Sequence, residues 1–557
     1  MAGRAARIAA GVVLLLVAAA CERAAPPDRI YYNARVWTGD PTAPAATAIA
    51  TRRDTIVAVG DDATIRALAG ASTISEDLAG RRVLPGFHDD HWHLPTRRTA
   101  ELASAADPAG IVAILRTFAS SLPPDAWVTG RGWTAAHFQR AAMDGRFLDR
   151  AFPDRPVVLT DRDGHLVLAN AAALARAAVS AETRDPSGGS IARDARGNPT
   201  GLLRETAMGL VTRHLPAPTA DEVYAALRYE MHRAAARGLT AIQVANGLNA
   251  VEAAAFERAL AEDSLLVRFR LAVPFERGVT DSALQAYAAL RDAHTGPLLR
   301  YGIAKGMLDG TVDAGTAAML EPYARGGGTG LPRWTAEELA TTVAAYDRAG
   351  IQVELHAIGD RAIRMALDAY EAVRATNGVR DRRPRVEHIE VPDPSDLPRF
   401  KALGVVASSQ AIFALPDAVI FDNYVPMLGP ARERHAMPFK SLDDAGAIQA
   451  FGSDYPVFPM DPLLGIHVAV TRTTPEGTPT GGWLPEQRLS VEQAVKHYTW
   501  GSAYAAFRET DLGVLRAGML ADFVVLSEEI LGVDPAALLR ATPVLTVMGG
   551  REVHRGP

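Results

Sequence analysis

Four histidines, one lysine and one aspartate stand where their chemistry can be used. His91 and His93 lie two residues apart in the stretch 83–93. Side chains on an extended strand alternate, so both face one side, together with Asp89. Two neutral imidazoles in that spacing can grip one divalent ion. Lys305, His356, His388 and Asp454 follow, each at the end of a later apolar run. Nitrogen and oxygen donors without a thiolate suit a hard or borderline ion such as zinc. An aspartate among them fits a general base that also touches the metal. A single strand-end histidine is usually a hydrogen-bonded rim residue, so the joint placement on separate strands carries the inference.

The elements that must position these groups read as alternating strands and helices. Strands are expected at 241–245, 267–273, 301–305, 352–356, 385–388, 404–408 and 448–453, after a first strand ending at His93. That makes eight, with helices such as 221–238, 336–349 and 360–376 between them, the pattern of a parallel α/β barrel. Barrel sites collect at the C-terminal strand ends, where the six residues fall. Residues 94–237 are too many for a loop and are expected to form an inserted subdomain over the mouth. Short β runs at 30–84 and again at 510–557 suggest one small β domain assembled from both ends.

The chain has 557 residues, 48% hydrophobic and 22% charged, with net charge -6. This is an ordinary globular mixture, and nothing in it argues for nucleic acid or an anionic membrane surface. The single cysteine, Cys21, excludes an internal disulfide. Arg4 and Arg7, an apolar core at 8–17 and Ala18 to Ala20 precede it, the order of a signal peptide. Cys21 after small residues resembles a bacterial lipoprotein signal; the alternative is an ordinary secretory signal with an incidental cysteine. Residues 1–21 are thus expected to be removed, 22–29 to act as a tether, and the mature chain to be exported to the periplasm or cell envelope, touching membrane only through a lipid on Cys21.

Several stretches also resemble the amidohydrolase superfamily, most closely amidohydrolase family 3, the branch that contains N-substituted formamide deformylase. They are residues 85–93, 305–310, 356–362, 385–388, 452–457 and 518–523, in the right order across nearly the whole chain. The resemblance implies a metal-dependent hydrolase on a distorted (β/α)8 TIM barrel, residues 85–509, with a small β-sandwich domain from both termini and a large insertion after barrel strand 1. It implies that His91 and His93 bind one metal, that His356 and His388 bind a second, and that Asp454 handles the proton. Lys305 stands where related enzymes carry a lysine carboxylated by carbon dioxide. His165, in Asp163-Gly164-His165, and Trp133 are the residues of the insertion singled out for substrate, each against the alternative of a structural turn or internal packing. Asp89 either orients a ligand histidine or caps the next turn.

The function expected is hydrolysis of a carbon–nitrogen bond other than a peptide bond, in a small N-acyl or N-formyl amide, by a metal-activated water, with one or two zinc ions. An esterase, lactonase, cyclic amidase or isomerase on the same metal site is the nearest alternative. A surface lipoprotein that binds a ligand without catalysis is the other, and it would be expected to have damaged metal ligands; none of the six is missing.

Overall fold

The computed structural model describes residues 25–556 apart from 97–98, 139–142, 163, 165 and 187–188. Eight parallel strands form its centre: β1 (Phe87–Trp92), β2 (Leu239–Val244), β3 (Arg268–Pro274), β4 (Leu299–Met307), β5 (Gln352–Ala357), β6 (Arg385–His388), β7 (Val406–Ser409) and β8 (Ile448–Phe451). They pair in sequence order, and every position of β1, β2, β5, β6 and β7 is buried. Burial on both faces is what a parallel sheet wrapped by helices requires. The strands coincide, within a few residues, with those expected from the sequence.

The sheet curls almost into a ring, and the seam between β8 and β1 is bridged just past the strand ends. Asp454 N–H donates to the His91 carbonyl at 2.7 Å and His93 N–H to the Tyr455 carbonyl at 2.7 Å. Ser453 adds its N–H and hydroxyl to the Asp89 carboxylate, at 2.9 and 2.5 Å. The strands can approach this closely because residue 452 is glycine: a Cβ there would stand 2.4 Å from His91 N.

The connecting helices begin where local chemistry satisfies their free N–H groups. Thr219 with Glu222, Asn249 with Glu252, and Thr335 with Glu338 form reciprocal capping boxes at the starts of Ala220–Ala236, Ala250–Ala261 and Ala336–Arg348. Between β1 and β2 lies a separate six-stranded sheet, from Ala100–Glu101 to Pro199–Glu205. It has its own apolar cluster, centred on Leu115, Trp133, Leu159 and Leu168.

Both ends of the chain share another six-stranded sheet, in which Arg82–Pro85 pairs with Phe523–Leu526. It shares a core, Tyr31, Ile49, Val83, Phe523 and Leu545 among others, with a four-stranded sheet of residues 29–77. Arg268 on β3 ties this assembly to the barrel through a bidentate, almost fully buried pair with Asp522, at 2.7 and 2.8 Å. Residues 1–24, with Cys21 and the expected signal peptide, lie outside the described residues. The described end of the expected tether is docked: Asp28 N–H donates to the Thr51 carbonyl and Pro27 is buried.

The seam generates a first test. Gly452→Ala should force β8 from β1, costing about 1–3 kcal/mol as other overpacked sites do, and should lower both the melting temperature and bound metal. Wild-type values of both would show that the close approach does not position the site.

Candidate metal centre

Strand β1 delivers its imidazoles as the alternation requires. His91 points into the barrel and is fully buried, while His93, one residue past the strand end, stays partly open. Asp454 Oδ1 lies 2.8 Å from His93 Nε2 and 3.5 Å from His91 Nε2. One ligand atom from each of the three falls within 4.8 Å of the others, close enough to share one ion. Lys305 Nζ lies 3.0 Å from His91 Nε2. The His388 ring is 4.8 Å from that of His91 and 4.4 Å from that of His356. The six side chains expected from the sequence therefore converge, although His356 presently turns Nε2 to the Gly310 carbonyl at 3.3 Å, with Asp309 Oδ1 at 3.5 Å.

Backbone strain aims two of these groups. His388, Ile389 and Asp454 hold φ of 77°, 52° and 54°, a left-handed region that residues with side chains rarely adopt. On a regular strand Glu387 and His388 would face opposite sides. The left-handed turn at His388 lets both serve the centre. Such strain persists where the surroundings enforce it, and it clusters at functional sites.

Glu387 is the group that sequence reasoning passed over. Its Oε2 receives His91 Nδ1–H at 2.5 Å, which leaves His91 Nε2 facing Lys305 and Asp454. Ser408 hydroxyl donates to the same oxygen at 2.6 Å. Arg385, wholly buried, donates to Glu387 at 2.9 Å and to Asp90 at 3.1 Å, and lies 3.5 Å from Glu354. One cation thus sits among three buried carboxyls. Burial raises Asp90 well above the usual carboxylate range and Glu354 to about 7, against the pull of Arg385. A signal for this layer was present: Arg385 and Glu387 share the inward face of β6, where an aliphatic pair is the ordinary filling.

Burial, and then the charge of Lys305, pushes His91 well below its ordinary pKa and His356 to about 3. His388 is lowered too, by burial and its neighbouring histidines. These imidazoles are neutral at pH 7, the form that ligates a metal. His388 Nδ1–H is held by Gln410 Oε1 at 2.7 Å, fixing its tautomer as outer partners of ligand histidines do. The donor set therefore fits a divalent ion: imidazole nitrogens, two of them on His91 and His388 with the far side of the ring anchored, one carboxylate and no thiolate.

The centre opens onto a cavity of about 160 Å³ whose wall includes His356, His388 and Asp454. Phe413, Phe458 and Leu415 give it apolar surface; Asp313, Arg162 and Glu390, whose carboxyl burial raises to about 8, give it polar groups. Trp133 is not part of it. Its indole donates to the Leu159 carbonyl at 3.0 Å inside the insertion's own core, because burying the largest apolar side chain there outweighs exposing it on a wall. His165 lies outside the described residues. Asp89 touches no ligand ring; its carboxylate accepts the Ser453 N–H and hydroxyl and, at 3.3 Å, the backbone N–H of His91 two residues on, the turn-capping alternative of the two. Glu387→Gln, which keeps shape but removes charge, should weaken metal binding roughly 10-fold to 100-fold, as loss of a ligand's anchoring partner does. Titration of the stripped protein with zinc checks this; wild-type affinity would show that His91 needs no such anchor.

The chain matches the model of the Amidohydrolase family over residues 75–554. It is 32% identical over 544 residues to Protein LONG AFTER FAR-RED 3 of Arabidopsis thaliana, covering 95% of this chain and 91% of that protein. It is 27% identical over 517 residues to N-substituted formamide deformylase of Arthrobacter pascens, covering 90% and 94%. Among solved structures, an uncharacterized metal-dependent hydrolase from Pyrococcus horikoshii superposes with a TM-score of 0.73 at 22% identity, over 91% of this chain and 99% of that one. A family match over residues 75–554, which span the whole barrel, makes this chain a hydrolase of the Amidohydrolase family.

Proposed function

We propose that the protein hydrolyses a carbon–nitrogen bond other than a peptide bond in a small N-acyl or N-formyl amide. One observation carries the reading: Asp454 stands at once beside His91 and His93 and in the wall of the cavity. The relative named N-substituted formamide deformylase supports the choice of bond. We read the resident metal as zinc, one or two ions, with His91, His93 and Asp454 on one and His356 and His388 on a second; a carboxyl group on Lys305 would supply an oxygen to both. The two sheets from the chain ends then form one sandwich domain, and residues 94–237 an inserted subdomain over the mouth.

A divalent ion held there supplies acidity to a water and polarises the substrate carbonyl. The remaining chemistry belongs to the chain. Asp454 accepts the proton of the attacking water and returns it to the departing nitrogen, so one carboxylate serves as base and then as acid. Glu387 keeps His91 in one tautomer throughout. Phe413, Phe458 and Leu415 exclude bulk water from the cavity and receive the apolar part of the substrate.

Metal analysis followed by a panel of N-formyl amides, N-acyl amides and small esters tests the proposal. Hydrolysis of at least one amide class should exceed that of the esters, vanish on chelation and return with zinc. Asp454→Asn should lower kcat by about 10²–10⁴, the range for losing a general acid–base, with unchanged circular dichroism. Full activity in stripped protein, or esters outpacing every amide, would overturn it.

A further inference from the structure

At the opposite end of the barrel, beneath the N-terminal ends of β3 to β6, lies a larger cavity of about 460 Å³. Five arginines stand in its wall: Arg270, Arg291, Arg300, Arg380 and Arg382. Only two carboxylates share it. Asp347 is taken by Arg380 at 2.5 Å and by Arg382 Nε at 2.7 Å. Asp381 is engaged by Arg383, 2.9 Å from its Nη2. Arg291 pairs outward with Asp292 at 2.8 Å.

Two of the five have no acid partner among the described residues. Arg270 is buried, and its shortest contact is to the neutral amide of Gln352, at 2.5 Å. Arg300 donates only to backbone carbonyls, that of Gly296 at 3.0 Å and that of Thr295 at 3.5 Å. A third is incompletely satisfied. The Arg382 side chain is 9% exposed, and its Nη1 is fully buried without a hydrogen-bond partner. A guanidinium left in that state is costly, and almost all buried polar groups avoid it. Burial and the nearby charge of Arg385 drive Arg270 down to about 9 against the pull of Glu354 and Asp90, and burial with Arg508 lowers Arg300 against that of Asp511, so the acids nearby do not offset the cost of burying either cation.

A cluster that merely held the barrel floor together would pair its cations with acids of the chain. This one leaves positive charge and an open donor around a space of ligand size. Guanidinium forks match the planar or tetrahedral oxygens of carboxylate and phosphoryl groups. We propose that the floor cavity is a second ligand site, which takes a small, multiply charged oxyanion on Arg270, Arg300 and Arg382. Because Arg270 also repels Arg385, an anion there would relieve strain in the charge layer that holds Glu387 and, through it, His91.

Isothermal titration of the metal-loaded, full-length protein with inorganic phosphate and, separately, with succinate tests the site and distinguishes phosphoryl from carboxylate chemistry. One anion per chain should bind in at least one titration. Arg300→Gln and Arg382→Gln should each weaken that binding by about tenfold or more while leaving metal content unchanged. Arg300→Gln breaks no ion pair among the described residues, so it probes the site even where Arg382→Gln disturbs Asp347 and folding. Absence of binding by both anions at millimolar concentration would overturn the proposal. So would undiminished binding in Arg300→Gln, which would place the anion on the metal instead.

Discussion

The hydrogen bond from His91 Nδ1 to Glu387 is the contact on which the centre depends. It joins β1 to β6 across the barrel interior, selects the tautomer of a fully buried imidazole and leaves Nε2 facing Lys305 and Asp454. Glu387 can remain in that position only because Arg385 and Ser408 supply donors to it in a region where an isolated charge would be untenable. Arg385 in turn is shared with Asp90 and Glu354. Removing one partner from such a layer strands the others, which is why buried ion groups are better evidence of a fixed geometry than of added stability.

The seam between β8 and β1 does the complementary work. Backbone hydrogen bonds from Asp454 and His93, the Ser453 clamp on Asp89 and the absence of a Cβ at residue 452 bring the Asp454 carboxylate within reach of both imidazoles. Barrel closure and site assembly are therefore one event. The sheets at the chain ends contribute indirectly, through the buried Arg268–Asp522 pair that anchors the base of β3.

Much of this was legible in the sequence. Period-two alternation in β1 placed His91 and His93 on one face, and eight apolar runs spaced by helix signals located the barrel strands. Lys305, His356, His388 and Asp454 were legible because they end such runs. What was not legible depends on partners distant along the chain. Glu387 reads locally as an ordinary strand residue; its meaning comes from Arg385, Ser408 and a histidine nearly 300 positions away. The left-handed backbone at His388 and Asp454 has no glycine to announce it. Trp133 misled because a tryptophan between glycines suits a pocket wall or a core equally, and only packing against Leu159 and its neighbours decides. The arginines of the floor cavity come from several separate segments and make no pattern along the chain.

Everything returns to whether these side chains hold an ion in common. Anomalous diffraction at the zinc edge, from crystals of metal-loaded protein, asks this most directly. The account expects a peak within bonding distance of His91 Nε2, His93 Nε2 and an Asp454 oxygen, with His91 Nδ1 still on Glu387. A peak bound elsewhere, or active crystals with no peak between those residues, would contradict it.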